Sequence, residues 1–160
     1  MTRINLIDPK ALTDQHLFAE YREITRIFAL VAQSVDKYGT ANTLKKIPKS
    51  YRLGTGHVLF FYDKLAFIEK RYEALRDELL DRKVNITLKD SISEYRQFIP
   101  HIFYQDYHPT TDEQKLSVER IIQKITAKPN WYKWRGVLID DGAYIPVSYT
   151  HLTLPTSDLV

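Results

Sequence analysis

Cysteine is absent from this 160-residue chain. That one absence removes disulfides, thiol nucleophiles, cysteine-bound zinc and iron–sulfur clusters together. No stretch approaches the ~18 apolar residues of a membrane span. The opening Met1-Thr2-Arg3-Ile4-Asn5 carries a charge and no apolar signal core follows it. A cytoplasmic protein with no membrane partner is therefore expected. Gly-x-Ser-x-Gly does not occur, which excludes the nucleophile elbow of a hydrolase. Leu53-Gly54-Thr55-Gly56-His57 lacks the Gly-Lys-Ser/Thr ending of a phosphate-binding P-loop. His101, Asp106 and His108 come nearest to a metal set, and their spacing fits no helix-borne metal motif. A metal-dependent nuclease would need a carboxylate cluster that the sequence lacks. No metal and no cofactor is expected. There is no internal repeat and no array of alternating strands.

What is present is ordinary globular composition, 44% hydrophobic and 27% charged, in a length typical of one domain. The net charge of +3 is unevenly spread. Residues 43–52 hold Lys45, Lys46, Lys49 and Arg52 with no acid, a net +4. Residues 115–135 hold Lys115, Arg120, Lys124, Lys128, Lys133 and Arg135 against Glu119, a net +5. Trp131, Tyr132 and Trp134 lie inside the second cluster. Basic clusters interleaved with aromatics suit a polyanionic partner, although most charged faces are only solvated.

Three helical patterns predict an all-α, compact single domain with long irregular loops. The first covers about 16–38, where Leu17, Tyr21, Ile24, Phe28, Val31 and Val35 form one seam. Thr13 or Asp14 suits its N-cap and Gly39 its stop. The second covers about 61–82 through Phe61, Leu65, Ile68, Tyr72, Leu75 and Leu79. The third covers about 112–127, with Val118, Ile121, Ile122 and Ile125 inward and Ser117, Arg120 and Lys124 on a polar face, and stops before Pro129. The domain is expected to span 1–146. Residues 147–160 read as a non-native or disordered tail, because Val147–Thr156 back-translates to a string resembling a sequencing-library adapter. A monomer is expected.

On a continuous first helix, Gln15, Arg22, Glu23 and Arg26 share an arc of about 100° opposite the apolar seam. A carboxylate between arginines is most often a surface ion-pair set contributing ~0–1 kcal/mol. It also suits acid–base chemistry beside gripped phosphates. Thr2 adds another possibility. Removal of Met1 would expose an α-amine of reference pKa about 7.7–8.0, well below that of lysine, and a neutral amine can form an imine with a carbonyl carbon.

Taken in order, the blocks Met1-Thr2-Arg3-Ile4-Asn5-Leu6, Asp14-Gln15-His16-Leu17 and Ala19-Glu20-Tyr21-Arg22-Glu23 with Arg26 resemble the pyrimidine-dimer DNA glycosylase/AP lyase family of the phage endonuclease V type. Gly56-His57-Val58 with Phe60-Phe61-Tyr62-Asp63-Lys64-Leu65, and Trp131-Tyr132-Lys133 with Gly136, extend the resemblance over roughly 1–139. Segments 40–52 and 83–111 match poorly, and Trp134-Arg135 replaces a more tyrosine-rich ending. The resemblance implies an all-α enzyme that excises cyclobutane pyrimidine dimers from duplex DNA and nicks the resulting abasic site. It implies that Thr2 is the amine nucleophile and that Glu23 stabilises the cationic intermediate and assists proton transfer. It assigns phosphate contacts to Arg3, Arg22 and Arg26, the lesion border to Gln15 and His16, and further DNA contacts to Arg120, Lys124, Trp131, Tyr132 and Lys133. The alternative is a non-catalytic, salt-sensitive DNA-binding module using the same arginines and aromatics.

Overall fold

Thr13 starts the first helix. Its hydroxyl accepts the His16 N–H at 3.1 Å, the bond of an N-cap, and α1 follows as Asp14–Ile24. The computed structural model describes residues 3–86 and 92–139. Thr2, the domain boundary at 146 and the tail 147–160 lie outside them.

The helix expected over 16–38 is interrupted at Thr25, and α2 runs Arg26–Tyr38. Thr25 keeps near-helical angles (φ −67°, ψ −19°) but makes no side-chain cap. The Phe28 N–H instead donates to its carbonyl at 3.3 Å, an i→i+3 bond that tightens the turn. The seam survives the break: Leu17, Ile24, Phe28 and Val31 are buried, and Tyr21 and Val35 are half-buried. Gly39 ends α2 at a φ of 85°, its N–H donating to Val35 O at 2.9 Å. A short α3, Thr40–Lys45, follows within a segment expected to be irregular.

The helix expected over 61–82 starts late, as α5 (Leu65–Asp81), and a short α4 (His57–Phe60) precedes the expected range. Lys64 leaves helical space at φ −124° and ψ 38°. Its ammonium donates to Phe60 O at 2.9 Å and to Asp63 Oδ1 at 2.8 Å, closing the turn from within. All six expected seam residues, Phe61 through Leu79, are nonetheless buried.

The third helix, α6 (Thr111–Ala127), starts at a capping box in which Thr110 Oγ1 accepts the Glu113 N–H and Glu113 Oε1 accepts the Thr110 N–H. Val118, Ile121 and Ile125 are buried. Ser117, expected on the polar face, is fully buried, and its hydroxyl accepts the Leu6 N–H at 3.0 Å. The all-α reading holds but for a hairpin of β1 (Lys133–Trp134) and β2 (Val137–Leu138), two residues per strand, in antiparallel register.

The chain divides into two units. One comprises Met1–Ile4 with Glu20–His108, the other Asn5–Ala19 with Pro109–Val160, as far as the described residues extend. In the first, the lower half of α1 is tied to α5 by Arg71, which donates from Nε and Nη2 to both carboxylate oxygens of the buried Glu20 at 2.7 and 3.1 Å. Tyr21 stacks on Tyr72 beside this pair, with ring centroids 5.3 Å apart. In the second, Leu6 is held to α6 through Ser117 and through Gln114 Nε2, which donates to Leu6 O at 3.2 Å. Among the described residues no helix is long and apolar enough to cross a membrane.

Candidate functional site

The first unit carries Arg3, Arg22, Glu23 and Arg26. Because α1 breaks at Thr25, Arg26 opens α2 instead of continuing the wheel of α1, so the shared arc expected for these residues is not a single helical face. Arg22 and Arg26 are exposed and Glu23 is half-buried. Among the described residues, the side chains of Glu23 and Arg26 make no hydrogen bond or ion pair. Glu20, one turn earlier, is fully engaged by Arg71. One guanidinium nitrogen of Arg3, Nη1, is buried with no hydrogen-bond partner among the described residues.

The second unit carries Gln15, His16, Arg120, Lys124, Trp131, Tyr132 and Lys133. Gln15 is held at both ends of its amide: Nε2 donates to Trp131 O at 2.8 Å and Oε1 accepts the Lys133 N–H at 3.0 Å. It thereby supports the segment entering β1. Asp14 does the same for the turn, accepting the Arg135 N–H at 3.0 Å and the Gly136 N–H at 2.8 Å on its two oxygens. Arg135 and Gly136 both have positive φ, 51° and 83°, the signature of a two-residue type I′ hairpin loop. The Trp134 indole N–H completes the seat by donating to Lys10 O at 2.9 Å.

Tyr132 is buried, its ring stacked on His16 at a centroid distance of 4.7 Å and 8° between planes. Burial pushes the Tyr132 hydroxyl pKa up. The stack, with the Thr13 hydroxyl 2.7 Å from Nδ1, encloses the His16 ring. Burial, followed by the nearby cations of Arg120 and Lys124, lowers its pKa from 6.5 to about 4. His16 is thus a neutral imidazole at physiological pH. Trp131 and Trp134 stay about half exposed, at 47% and 40%. Each has a cation at its ring face, Lys128 Nζ at 4.3 Å and the Arg135 guanidinium at 5.3 Å. Lys124 and Lys133 are exposed and Arg120 is half-buried.

A family model described as pyrimidine dimer DNA glycosylase matches residues 1–91. The chain belongs to this family. Of the residues singled out by the sequence, Thr2, Arg3, Gln15, His16, Arg22, Glu23 and Arg26 fall inside the matched range. Arg120, Lys124, Trp131, Tyr132 and Lys133 fall beyond it. Two features escaped sequence reasoning. Asp14, in sequence an N-cap candidate and part of a family-like block, latches the hairpin turn more than a hundred residues away. Glu20 and Arg71 carried no local signal, since their pairing spans two helices. Asp106, weighed as a metal ligand, pairs with Lys70 at 2.7 Å, and that bond with the Tyr107 N–H lowers its pKa.

Proposed function

We propose that this protein excises cyclobutane pyrimidine dimers from duplex DNA and then cleaves the strand, through an imine formed on the α-amine of Thr2. The amine lone pair attacks C1′ of the 5′ nucleotide of the dimer, and the glycosidic bond breaks with its electrons leaving on the base. Opening of the sugar ring and loss of the amine proton give the imine. A proton then leaves C2′, the C3′–O bond breaks, and the 3′ phosphate departs. Hydrolysis of the imine regenerates the amine. This is a glycosylase followed by an abasic-site lyase, with no need for a metal or cofactor.

Glu23 stabilises the cationic intermediate and carries protons in the elimination. The observation that carries this reading is the contrast between two acids of one helix. Glu20 is buried in a bidentate ion pair, while Glu23 is half-buried with no cation on its carboxylate among the described residues. Arg3, Arg22 and Arg26 grip phosphates, and the exposure of Arg22 and Arg26 supports that role. Duplex DNA carrying a dimer or an abasic site is the partner. A dimer weakens local stacking, which lowers the cost of bending the duplex or extruding a base there. Arg120, Lys124 and Lys133 supply backbone contacts, and the exposed face of Trp131 supplies a stacking surface. Tyr132 and Gln15 act on recognition indirectly, by seating His16 and the hairpin.

Glu23→Gln tests the assignment. Dimer-containing duplex is expected to bind with unchanged affinity while incision falls by about 10²–10⁴-fold, the usual range for loss of an acid–base group. Incision at the parent rate would remove Glu23 from the mechanism.

A further inference from the structure

Leu53-Gly54-Thr55-Gly56-His57 has no part in phosphate binding by its sequence, and the structure gives it another task. His57 is 1% exposed, its ring in T-shaped contact with those of Tyr51 and Phe61. Its Nε2 accepts the backbone N–H of Ile4 at 2.9 Å. Its Nδ1 lies 2.8 Å from the carbonyl oxygen of Arg52. A carbonyl only accepts and an amide N–H only donates, so the two partners together select the neutral tautomer with hydrogen on Nδ1. The loop exists to close this geometry. Gly54 and Gly56 have φ of 71° and 86°, the His57 N–H donates to Gly54 O at 3.1 Å, and a Cβ on Gly56 would lie 3.0 Å from Arg52 Cδ. The chain thereby turns back and brings the Arg52 carbonyl to the ring of His57.

We infer that His57 is a positioning residue for the N-terminal amine, orienting the peptide plane from which Arg3 and Thr2 depart. The inference rests on the imine reading of Thr2. Burial of the Ile4 side chain fixes depth, but burial has no direction. A hydrogen bond on the Ile4 N–H does have direction. Because the peptide unit is planar, orienting that N–H also fixes the Arg3 carbonyl and Arg3 Cα. Only the Arg3 ψ and φ and the Thr2 ψ then separate a fixed plane from the amine, which can reach no further than roughly 7 Å from Ile4. Such restriction raises the effective concentration of a nucleophile at its target, and a misplacement of about 1 Å can lower a rate about 10²-fold.

The test is the rate of borohydride-trapped adduct on a duplex with one abasic site, at saturating protein, alongside the Kd for that duplex. For His57→Leu the trapping rate is expected to fall about 10²-fold with Kd unchanged. His57→Gln, which again holds a donor and an acceptor on one carbon, is expected to recover part of that loss. Leu75→Ala, a buried change on α5, serves as a control of lowered thermal stability and is expected to trap at the parent rate. Parent-rate trapping by His57→Leu, or equal slowing in His57→Leu and Leu75→Ala, would overturn the positioning role while leaving the imine reading intact. No adduct with the parent protein on any duplex would overturn both. Should His57→Leu fail to fold, nitrogen NMR of the parent protein decides. Coupling from His57 Nε2 to the Ile4 N–H, with a proton on Nδ1, is expected, and a proton on Nε2 would overturn the inference.

Discussion

Glu20 and Glu23 lie three positions apart on α1, and their surroundings differ. Glu20 is locked by Arg71 in a pair with side-chain exposures of 8% and 1%, so removing either partner would strand a buried charge, which typically costs about 3–5 kcal/mol. Glu23 is half-buried and carries no ion pair among the described residues. Local spacing singles out Glu23 and not Glu20, because a pairing between helices leaves no trace in it. His16 shows the same limit. Its place at the lesion border came from resemblance, whereas its enclosure by Tyr132 and Thr13 comes only from the fold. That enclosure predicts an acid sensitivity. The folded pKa of about 4 lies below the unfolded 6.5, so on acidification the unfolded chain takes up the proton first. The contribution is fully present above pH 6.5 and is lost as pH falls towards 4, up to on the order of 3 kcal/mol. Urea unfolding across that window is expected to show a shallower pH slope for His16→Asn than for the parent. Equal slopes would mean that the imidazole is not desolvated.

At the scale of elements, apolar periodicity located all three helical regions and their buried faces, because the seam residues decide what faces the core. It could not place the interruption at Thr25 or the late start of α5 at Leu65. These depend on a single i→i+3 bond and on the ammonium of Lys64, neither of which disturbs the seam. It also missed the hairpin, whose strands are too short for a period of two and whose Arg135-Gly136 loop lacks the usual Asn-Gly signal. Arg135 at φ 51° is held there by Asp14, a residue at the start of α1. Asp14→Ala is therefore expected to release the turn: amide exchange at Arg135 and Gly136 should accelerate, stability should fall by about 1–3 kcal/mol, and Trp134 fluorescence should shift to the red. Undisturbed exchange at those two amides would show that the turn stands without its latch.

For the molecule as a whole, the residues matched to the family include the proposed nucleophile and acid–base group, and the basic, aromatic C-terminal segment lies beyond the match. Composition and charge suggested a polyanion without naming it, since a net +3 is unremarkable and only its clustering is informative. The family, and with it the class of chemistry proposed, was legible because the blocks Thr2–Leu6, Asp14–Leu17 and Ala19–Glu23 stand in order at fixed spacing. The supports that would make such chemistry work were not, because they are long-range: His57 on Ile4, Arg71 on Glu20, and Asp14 and Gln15 on the hairpin. The central claim is the imine on the N-terminal amine. Its most direct test mixes untagged protein with a duplex bearing one thymine dimer, adds borohydride, and compares a form extended at the N-terminus by residues that cannot be removed. A covalent protein–DNA band that is present with the free N-terminus and absent with the extension is the expected result. A band of equal strength from the extended protein would contradict the claim by placing the nucleophile elsewhere.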